Sequence, residues 1–379
     1  MRRSTTRIER VAFTEVFVTF RGDPSQPVEE AAREMQASLR NIIGDQAVVF
    51  QERLFGPASA RFAVLSARQQ VYDAAGVKPA HSCTYVSGRE DDDFGGLTGG
   101  AFWAVIPGVG TTVEPVSGHG EGPGLLLRSA AIDLLFVPCV SGGGRGDVTQ
   151  QSSRMFRDAA QILAAHGFPY RKVVRTWIYL RRILDWYDEF NRVRTSFHKA
   201  HGILGNAEAP FAASTSIQGA VDSGECVMDV LAARVHDGAN AQLRPLHRSR
   251  RQGRAMAYGS GFSRGMVMTL DGRRSVWVSG TASIDERGGS LHIGSRDAQV
   301  VETLLNVAAL VETEGAGLRD VCSGIVYCKD AATYERYLEV VRLLDLEFLP
   351  LIPVLADLCR EELLVEIEAV VAVPQGRVQ

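Results

Sequence analysis

The 379-residue chain is short of the features that mark several function classes. Its six cysteines are scattered, with no Cys-x-x-Cys pair and no His/Cys group at metal-ligand spacing. That argues for a reducing compartment and against structural zinc. No stretch approaches 18 uninterrupted apolar residues, so no membrane-spanning helix is expected. The arginine-bearing start leads through Val11-Ala12-Phe13 into a polar-interrupted strand, not the apolar core of a secretion signal. Net charge is only −3, so no basic field points to nucleic acid or to a membrane surface. The glycine-rich Ser141-Gly142-Gly143-Gly144-Arg145-Gly146 lacks phosphate-loop spacing and reads as a turn. No metal site, cofactor loop or nucleophile triad stands out, so no cofactor is expected. What remains, 45% hydrophobic and 22% charged, is an ordinary globular composition, expected to be cytoplasmic and long enough for two or three units.

An internal repeat organises the chain. The segments Leu134–Gly142 and Ser275–Gly280 are strands that both end in Ser-Gly. A shift of 148 takes Gln151 to Gln299, Gly167 to Gly315, Arg171 to Arg319 and Val173 to Val321. Gly167 and Gly315 suit the left-handed end of a helix. Strands follow from Val173 and Val321, then helices from Trp186 to about His198 and from Ala332 to about Leu344. Each copy closes on a strand, Cys226–Ala233 and Leu363–Val371, and an offset of 137 sets Asp229 opposite Glu366. The first third reads as a degenerate copy, with helices at 28–43 and 62–75, strands at 46–55 and 101–106, and an echo of residues 210–215 at 79–84. The expectation is an α+β fold of tandem units, 1–120, 121–240 and 241–379, each a mixed sheet with helices on one face. Three such units would form a pseudo-threefold particle with clefts between copies. One chain would then supply every partner, so a monomer is expected.

The closing strand places Val365, Ile367, Ala369 and Val371 on one side and Glu366 and Glu368 on the other. The apolar side should meet a core. The carboxylate side could face water or line a cleft where burial tunes an acid. Cys359 lies seven residues before Glu366, and its bland role is that of a small buried hydrophobe. One segment, 242–265, fits neither copy. Its arginines, 244, 248, 250, 251 and 254, read as a solvated linker. In Tyr258-Gly259-Ser260-Gly261-Phe262-Ser263-Arg264, two glycines beside an aromatic and a guanidinium suit a small anionic ligand.

The copy pattern resembles the YjgF/RidA-like superfamily (a chorismate-mutase-like unit), whose members are trimers with ligand clefts between subunits. Arg175–Leu180, Trp186–Arg194, Ala213–Ile217, Tyr258–Arg264, Ser279–Ser283 and the Cys359/Glu366 pair resemble, more narrowly, the chorismatases. This likeness spans roughly residues 75–373. It implies a RidA-like fusion that cleaves chorismate, a dianionic enol ether, into pyruvate and a benzoate or dihydrobenzoate. It makes Glu366 the proton donor to the enolpyruvyl methylene, and Arg194, Arg264 and Arg175 candidates for the two carboxylates. Tyr258 would orient the ring, and Gly261 and Thr281 would line the pocket. A cysteine at 359 resembles the hydroxybenzoate-forming branch, most simply 3-hydroxybenzoate, in which the ring hydroxyl displaces pyruvate. The hydrolytic branch would use water instead. Glu368 reads as structural, and Asp229 as a hydrogen-bond acceptor or relic. Two other readings stay open: an imine deaminase using the same glutamate with an arginine just before the closing strand, near Arg360, and a non-catalytic metabolite-binding module.

Overall fold

A computed structural model describes all residues except 24, 81, 90–93, 118–122, 205–210, 220–223 and 376–379. The expected boundary at 120/121, and His81 and Pro210 of the 79–84 echo, lie outside the described residues. The first sheet comes from β1 (Arg2–Glu9), β2 (Phe13–Arg21), α1 (Val28–Ile43), β3 (Val48–Phe55), α2 (Arg61–Ala74), β4 (Thr84–Val86) and β5 (Gly99–Pro107). The second follows as β6 (Thr112–Val116), β7 (Gly124–Arg128), β8 (Ile132–Ser141), α3 (Val148–Ala165), β9 (Val173–Leu180), α4 (Ile183–Ala200), β10 (Ala213–Gln218) and β11 (Cys226–Val235). The third is β12 (Ala241–Leu246), β13 (Gly265–Leu270), β14 (Arg273–Ala282), α5 (Arg296–Glu312), β15 (Val321–Cys328), α6 (Ala331–Leu343), β16 (Leu351–Leu355) and β17 (Val365–Ala372). Strand orders are β6-β7-β8-β11-β9-β10 and β12-β13-β14-β17-β15-β16, and the first sheet, β1-β2-β5-β3-β4, is the same less one edge strand. The pairs β3–β4, β9–β10 and β15–β16 are parallel and the rest antiparallel. The fold is α+β, built of repeated units.

Local chemistry sets these elements. In α3 the residues Met155, Phe156, Ala159, Ile162 and Leu163 are buried, an apolar stripe at helical spacing. Asp147 caps its start by accepting from the Gln150 amide at 2.8 Å, a cap worth about 1 kcal/mol. Past its end Gly167 takes φ +80°, and Gly315 after α5 takes φ +77°, as the repeated glycines required. Each sheet turns one face to its own pair of helices. The other three faces meet in a shared interior. There Trp103, Trp177 and Trp277, one from each sheet, pack edge to face, with ring centroids 5.1 Å apart for Trp103–Trp277 and 5.8 Å for Trp177–Trp277.

The pairing registers correct the alignment of the copies. Trp177 and Ile325, 148 apart, pair across their sheets with Asp229 and Glu368. Both acids also stand opposite a bulge, between Val137 and Val140 in β8 and between Val278 and Thr281 in β14. The closing strands are therefore offset by 139 (229 to 368), and Asp229 corresponds to Glu368, not to Glu366. Glu366 pairs with Tyr327, and the matching pairs are Val227 with Tyr179 and Gly99 with Phe55. No other copy has an acid at this place. The arginine run is also more than a solvated linker. Arg244, Arg250 and Arg251 pair with Glu314, Glu312 and Glu302 at 2.7, 2.5 and 2.8 Å, which pins the 242–265 segment along α5. Among the described residues no helix is long and apolar enough to cross a membrane.

Candidate active site

The boundary between the second and third sheets is stitched by polar contacts. The Ser214 amide donates to Ser279 Oγ at 2.9 Å, and the Gly280 amide donates to Thr215 Oγ1 at 3.1 Å. The Ser263 amide donates to the Ala212 carbonyl at 2.9 Å. Above this seam opens a cleft of about 760 Å³ counted to its mouth. One helix face, with spacing i, i+4, i+7, brings Tyr187, Asn191 and Arg194 to it. Alternate residues Ser214 and Ser216 come from β10, and Tyr258, Phe262 and Arg264 from the glycine-bearing segment. Gly280, Cys359, Arg360 and Glu366 also line it, and the exposed Asp188 stands at its edge.

Glu366 is 5% exposed. Burial pushes its pKa up to about 8, the neighbouring Glu368 charge adds to the rise, and Arg175 and Arg264 oppose it. At pH 7 it is therefore mostly a neutral carboxylic acid, a form that can donate a proton. Its carboxyl lies directly over Gly280, where an added Cβ would fall 1.9 Å from Oε1. Only glycine leaves room for the acid in this position.

Two guanidiniums face the same space. Arg264 is 1% exposed and Arg194 2%. Arg264 Nε donates to the Gly253 carbonyl at 3.0 Å, and Nη2 has no partner. Its guanidinium packs on the Tyr258 and Phe262 rings, 5.4 and 5.7 Å from their centroids. Arg194 Nη2 donates to Asn191 Oδ1 at 2.5 Å, Nε is unpaired, and the group stacks on Phe190 and Phe262. Among the described residues neither forms an ion pair. A buried cation without a counter-charge costs several kcal/mol, so the pair is chemically suited to anionic groups supplied from outside. Arg360 also lies over the Tyr258 ring, 5.5 Å from its centroid, and its Nη1 donates to the Gly288 carbonyl at 2.7 Å. Cys359 is partly open to the cleft. Burial and the nearby Glu366 push its pKa to about 12, so it stays a thiol.

The structure thus brings Glu366, Cys359, Arg194, Arg264 and Tyr258 together, and sets three other candidates apart. Arg175 is buried beneath the cleft, where its Nη2 donates to Glu368 at 2.6 Å and to Thr215 Oγ1 at 2.7 Å. It already pairs with Glu368 and does not line the cleft, so it is no free carboxylate receptor. Thr281 points into the sheet, its Oγ1 donating to the Ser279 carbonyl at 2.9 Å. Gly261 lines a small adjoining cavity, where an added Cβ would sit 2.9 Å from His198 Nδ1. Burial and Arg194 hold His198 down to about 3, so it is neutral there. Tyr187, Asn191 and Gly280 lie inside segments that carried the resemblance but were not singled out. Their signal was positional: helical spacing from Arg194 for the first two, and the repeated Ser-Gly strand end for the third.

No family profile matches the chain, and no curated protein matches it in sequence. Its fold is similar to a crystal structure of a chorismatase, with a TM-score of 0.62 and 20% identity over 96% of this chain and 100% of that one. Single-unit structures also match. Rv2704 from Mycobacterium tuberculosis, described as a member of the YjgF/YER057c/UK114 family, has 22% identity and a TM-score of 0.28, covering 35% of this chain and 100% of its own. Yeast Mmf1 has 15% identity and a TM-score of 0.30 over 35% of this chain and 100% of its own.

Proposed function

We propose that the protein is a chorismate-cleaving enzyme that releases pyruvate and a hydroxybenzoate, most simply 3-hydroxybenzoate, as a monomer whose cleft is complete within one chain. One observation carries this reading: a neutral buried acid, Glu366, shares a cleft with two buried guanidiniums, Arg194 and Arg264, that no carboxylate among the described residues pairs with. A dianionic enol ether supplies the two carboxylates and the basic carbon that this set lacks. The fold shared with a structure described as a chorismatase supports the same reading.

In this mechanism Arg194 and Arg264 each take a carboxylate by charge-assisted hydrogen bonds. Glu366 gives its proton to the enolpyruvyl methylene carbon. The ether bond to the ring then breaks, its electrons stay on oxygen, and that oxygen becomes the ketone of pyruvate. The ring hydroxyl oxygen closes onto the vacated ring carbon and returns its proton to the Glu366 carboxylate. Opening of that strained ring, with loss of a ring proton, gives the aromatic product. Hydroxybenzoate and pyruvate together account for every atom of the substrate. The thiol of Cys359, protonated beside Glu366, is placed to assist proton movement in the opening step.

Arg360 favours a second reading, since it too lines the cleft just before the closing strand, as an imine deaminase would require. The test is incubation with chorismate and assay of pyruvate and of the aromatic product. Pyruvate with 3-hydroxybenzoate is expected. A dihydroxycyclohexadiene carboxylate would assign the hydrolytic branch, and no pyruvate above background would overturn the proposal. Glu366→Gln should fold and release no pyruvate.

A further inference from the structure

Beneath the cleft, one carboxylate is held between two arginines from the other two sheets. Arg53 Nη1 of β3 meets Glu368 Oε1 at 2.5 Å, and Arg175 Nη2 of β9 meets Oε2 at 2.6 Å. All three side chains are almost fully buried, and both guanidiniums pack on Trp177, 5.0 and 4.8 Å from its ring. Glu368 is not among the residues that line the cleft. Contacts nevertheless link it to the acid. Arg175 Nη2 also donates to Thr215 Oγ1, which accepts from the Gly280 amide, and Gly280 is the floor under the Glu366 carboxyl.

We propose that Glu368 is a positioning residue: by neutralising buried guanidiniums from two other sheets, it preserves the proton that Glu366 donates. The inference rests on the reading of Glu366 as the acid. Arg53 and Arg175 both pair directly with Glu368, while the buried Asp229 interacts with Arg53 without an ion pair, so loss of Glu368 removes one negative charge from this group and leaves both guanidiniums without a paired carboxylate. Other charged or titratable groups facing Glu366 or lining its cleft are Tyr258 and Arg264 from the 258–264 segment, Arg194, Tyr187 and the exposed Asp188 from α4, Tyr327 from β15, and Cys359 with Arg360 before β17. None of these replaces the lost negative charge, since the phenols and the thiol stay neutral and Asp188 is solvent-exposed, where water screens it. Two strand residues span about 7 Å. At an effective dielectric of about 20, removing a unit charge at that distance shifts a neighbouring titration by between about one and two pH units.

The test compares kcat for pyruvate release across pH in the wild type, Glu368→Gln, Glu368→Asp and the double variant Glu368→Gln/Arg53→Gln. Wild-type activity should fall as pH rises through about 8. In Glu368→Gln that fall should move down by at least about one unit, costing roughly tenfold at pH 8 and little at pH 5.5. Glu368→Asp keeps the carboxylate and should restore the limb. So should the double variant, which removes one charge of each sign and relieves the folding burden of two unmatched arginines. An unmoved limb in a folded Glu368→Gln protein, or an equal loss at every pH, overturns the proposal. Infrared spectra read the same proton without turnover. A protonated-carboxyl band at pH 7, absent from Glu366→Gln, should fall to about half or less in Glu368→Gln, and its persistence there at wild-type strength counts against Glu368 whether or not chorismate is the substrate.

Discussion

Gly280→Ala isolates the placement of the acid from its chemistry. The φ of Gly280 is not positive, so alanine costs the backbone little there. The added methyl would sit 1.9 Å from Glu366 Oε1, 2.8 Å from Cδ and 3.3 Å from Thr215 Cγ2. A relaxed carbon–oxygen contact lies beyond 3 Å, so the carboxyl must retreat by more than about 1 Å. Overpacking of one methyl costs about 1–3 kcal/mol, against a total stability of about 5–15 kcal/mol. The variant should therefore fold, with Tm lowered by several degrees. A 1 Å misplacement of a reacting group costs about 100-fold, and that is the expected fall in kcat. KM should stay within a few-fold, because Arg194 and Arg264 are untouched. The assay is pyruvate release coupled to NADH oxidation, with Tm read in parallel. A folded Gly280→Ala protein with kcat within threefold of wild type would refute the placement of Glu366 as donor.

Arg264→Met and Arg194→Met should each raise KM by roughly 10- to 100-fold, since each removes a charge-assisted bond worth about 1.5–3 kcal/mol. The same substitutions should leave Tm unchanged or raise it, because they remove an unmatched buried charge. Steady-state kinetics and thermal melts check both halves, and a lower Tm with unchanged KM would make these arginines structural. Cys359→Ala should shift the co-product from 3-hydroxybenzoate toward the hydrolytic dihydroxycyclohexadiene, read by chromatography. An unchanged product ratio returns Cys359 to a packing role. Glu366→Gln should also change the pH dependence of stability. Glu366 has a folded-state pKa raised from 4.5 to about 8. Its contribution is thus fully present below pH 4.5 and is lost as pH rises through about 8. Glu366→Gln keeps a neutral group at every pH, so it should match wild type near pH 5 and exceed it at pH 9. Equal melting curves at pH 9 would show that Glu366 is not buried as an acid.

The fold was legible because the repeat is regular where packing is regular. Gly167 and Gly315 end helices in both copies, and the apolar alternation of β17 gave its core face correctly: Val365, Ile367, Ala369 and Val371 all pack under the helices. The cleft residues were legible where chemistry is concentrated in one segment, as with Tyr258 and Arg264. Two errors have one physical origin. Register in a sheet follows pairing partners and bulges, not the spacing of like residues along the chain. Matching Asp229 with Glu366 skipped the bulges, and the error also hid the importance of Glu368. Arg175 misled for a related reason: a strand arginine declares its charge in the sequence, but its counter-charge lies 193 residues away. Nothing in spacing ties Arg53 of the first unit to that same carboxylate.

The corrected register also bears on why three unequal units suit this chemistry. Ala101, Asp229 and Glu368 hold equivalent places in β5, β11 and β17, and Arg53, Trp177 and Ile325 hold the places paired with them. In an assembly of three identical units, any charge at such a place near the shared interior would appear three times. Three carboxylates or three guanidiniums would then converge without counter-charges, at a cost of several kcal/mol each. A single chain escapes this constraint. It sets one carboxylate, Glu368, between two arginines drawn from different strands of different sheets. Asp229 is satisfied separately, by the Thr84 hydroxyl at 2.9 Å and the Cys139 amide at 2.8 Å. The place of Glu366 is likewise Gly99 in the first unit and Val227 in the second. An added Cβ at Gly99 would meet the Phe20 carbonyl at 2.2 Å and Ile352 at 3.0 Å, so that boundary has no room for an acid. Only a chain free to differ from copy to copy can bury a neutral acid in one cleft and close the equivalent positions with glycine and valine.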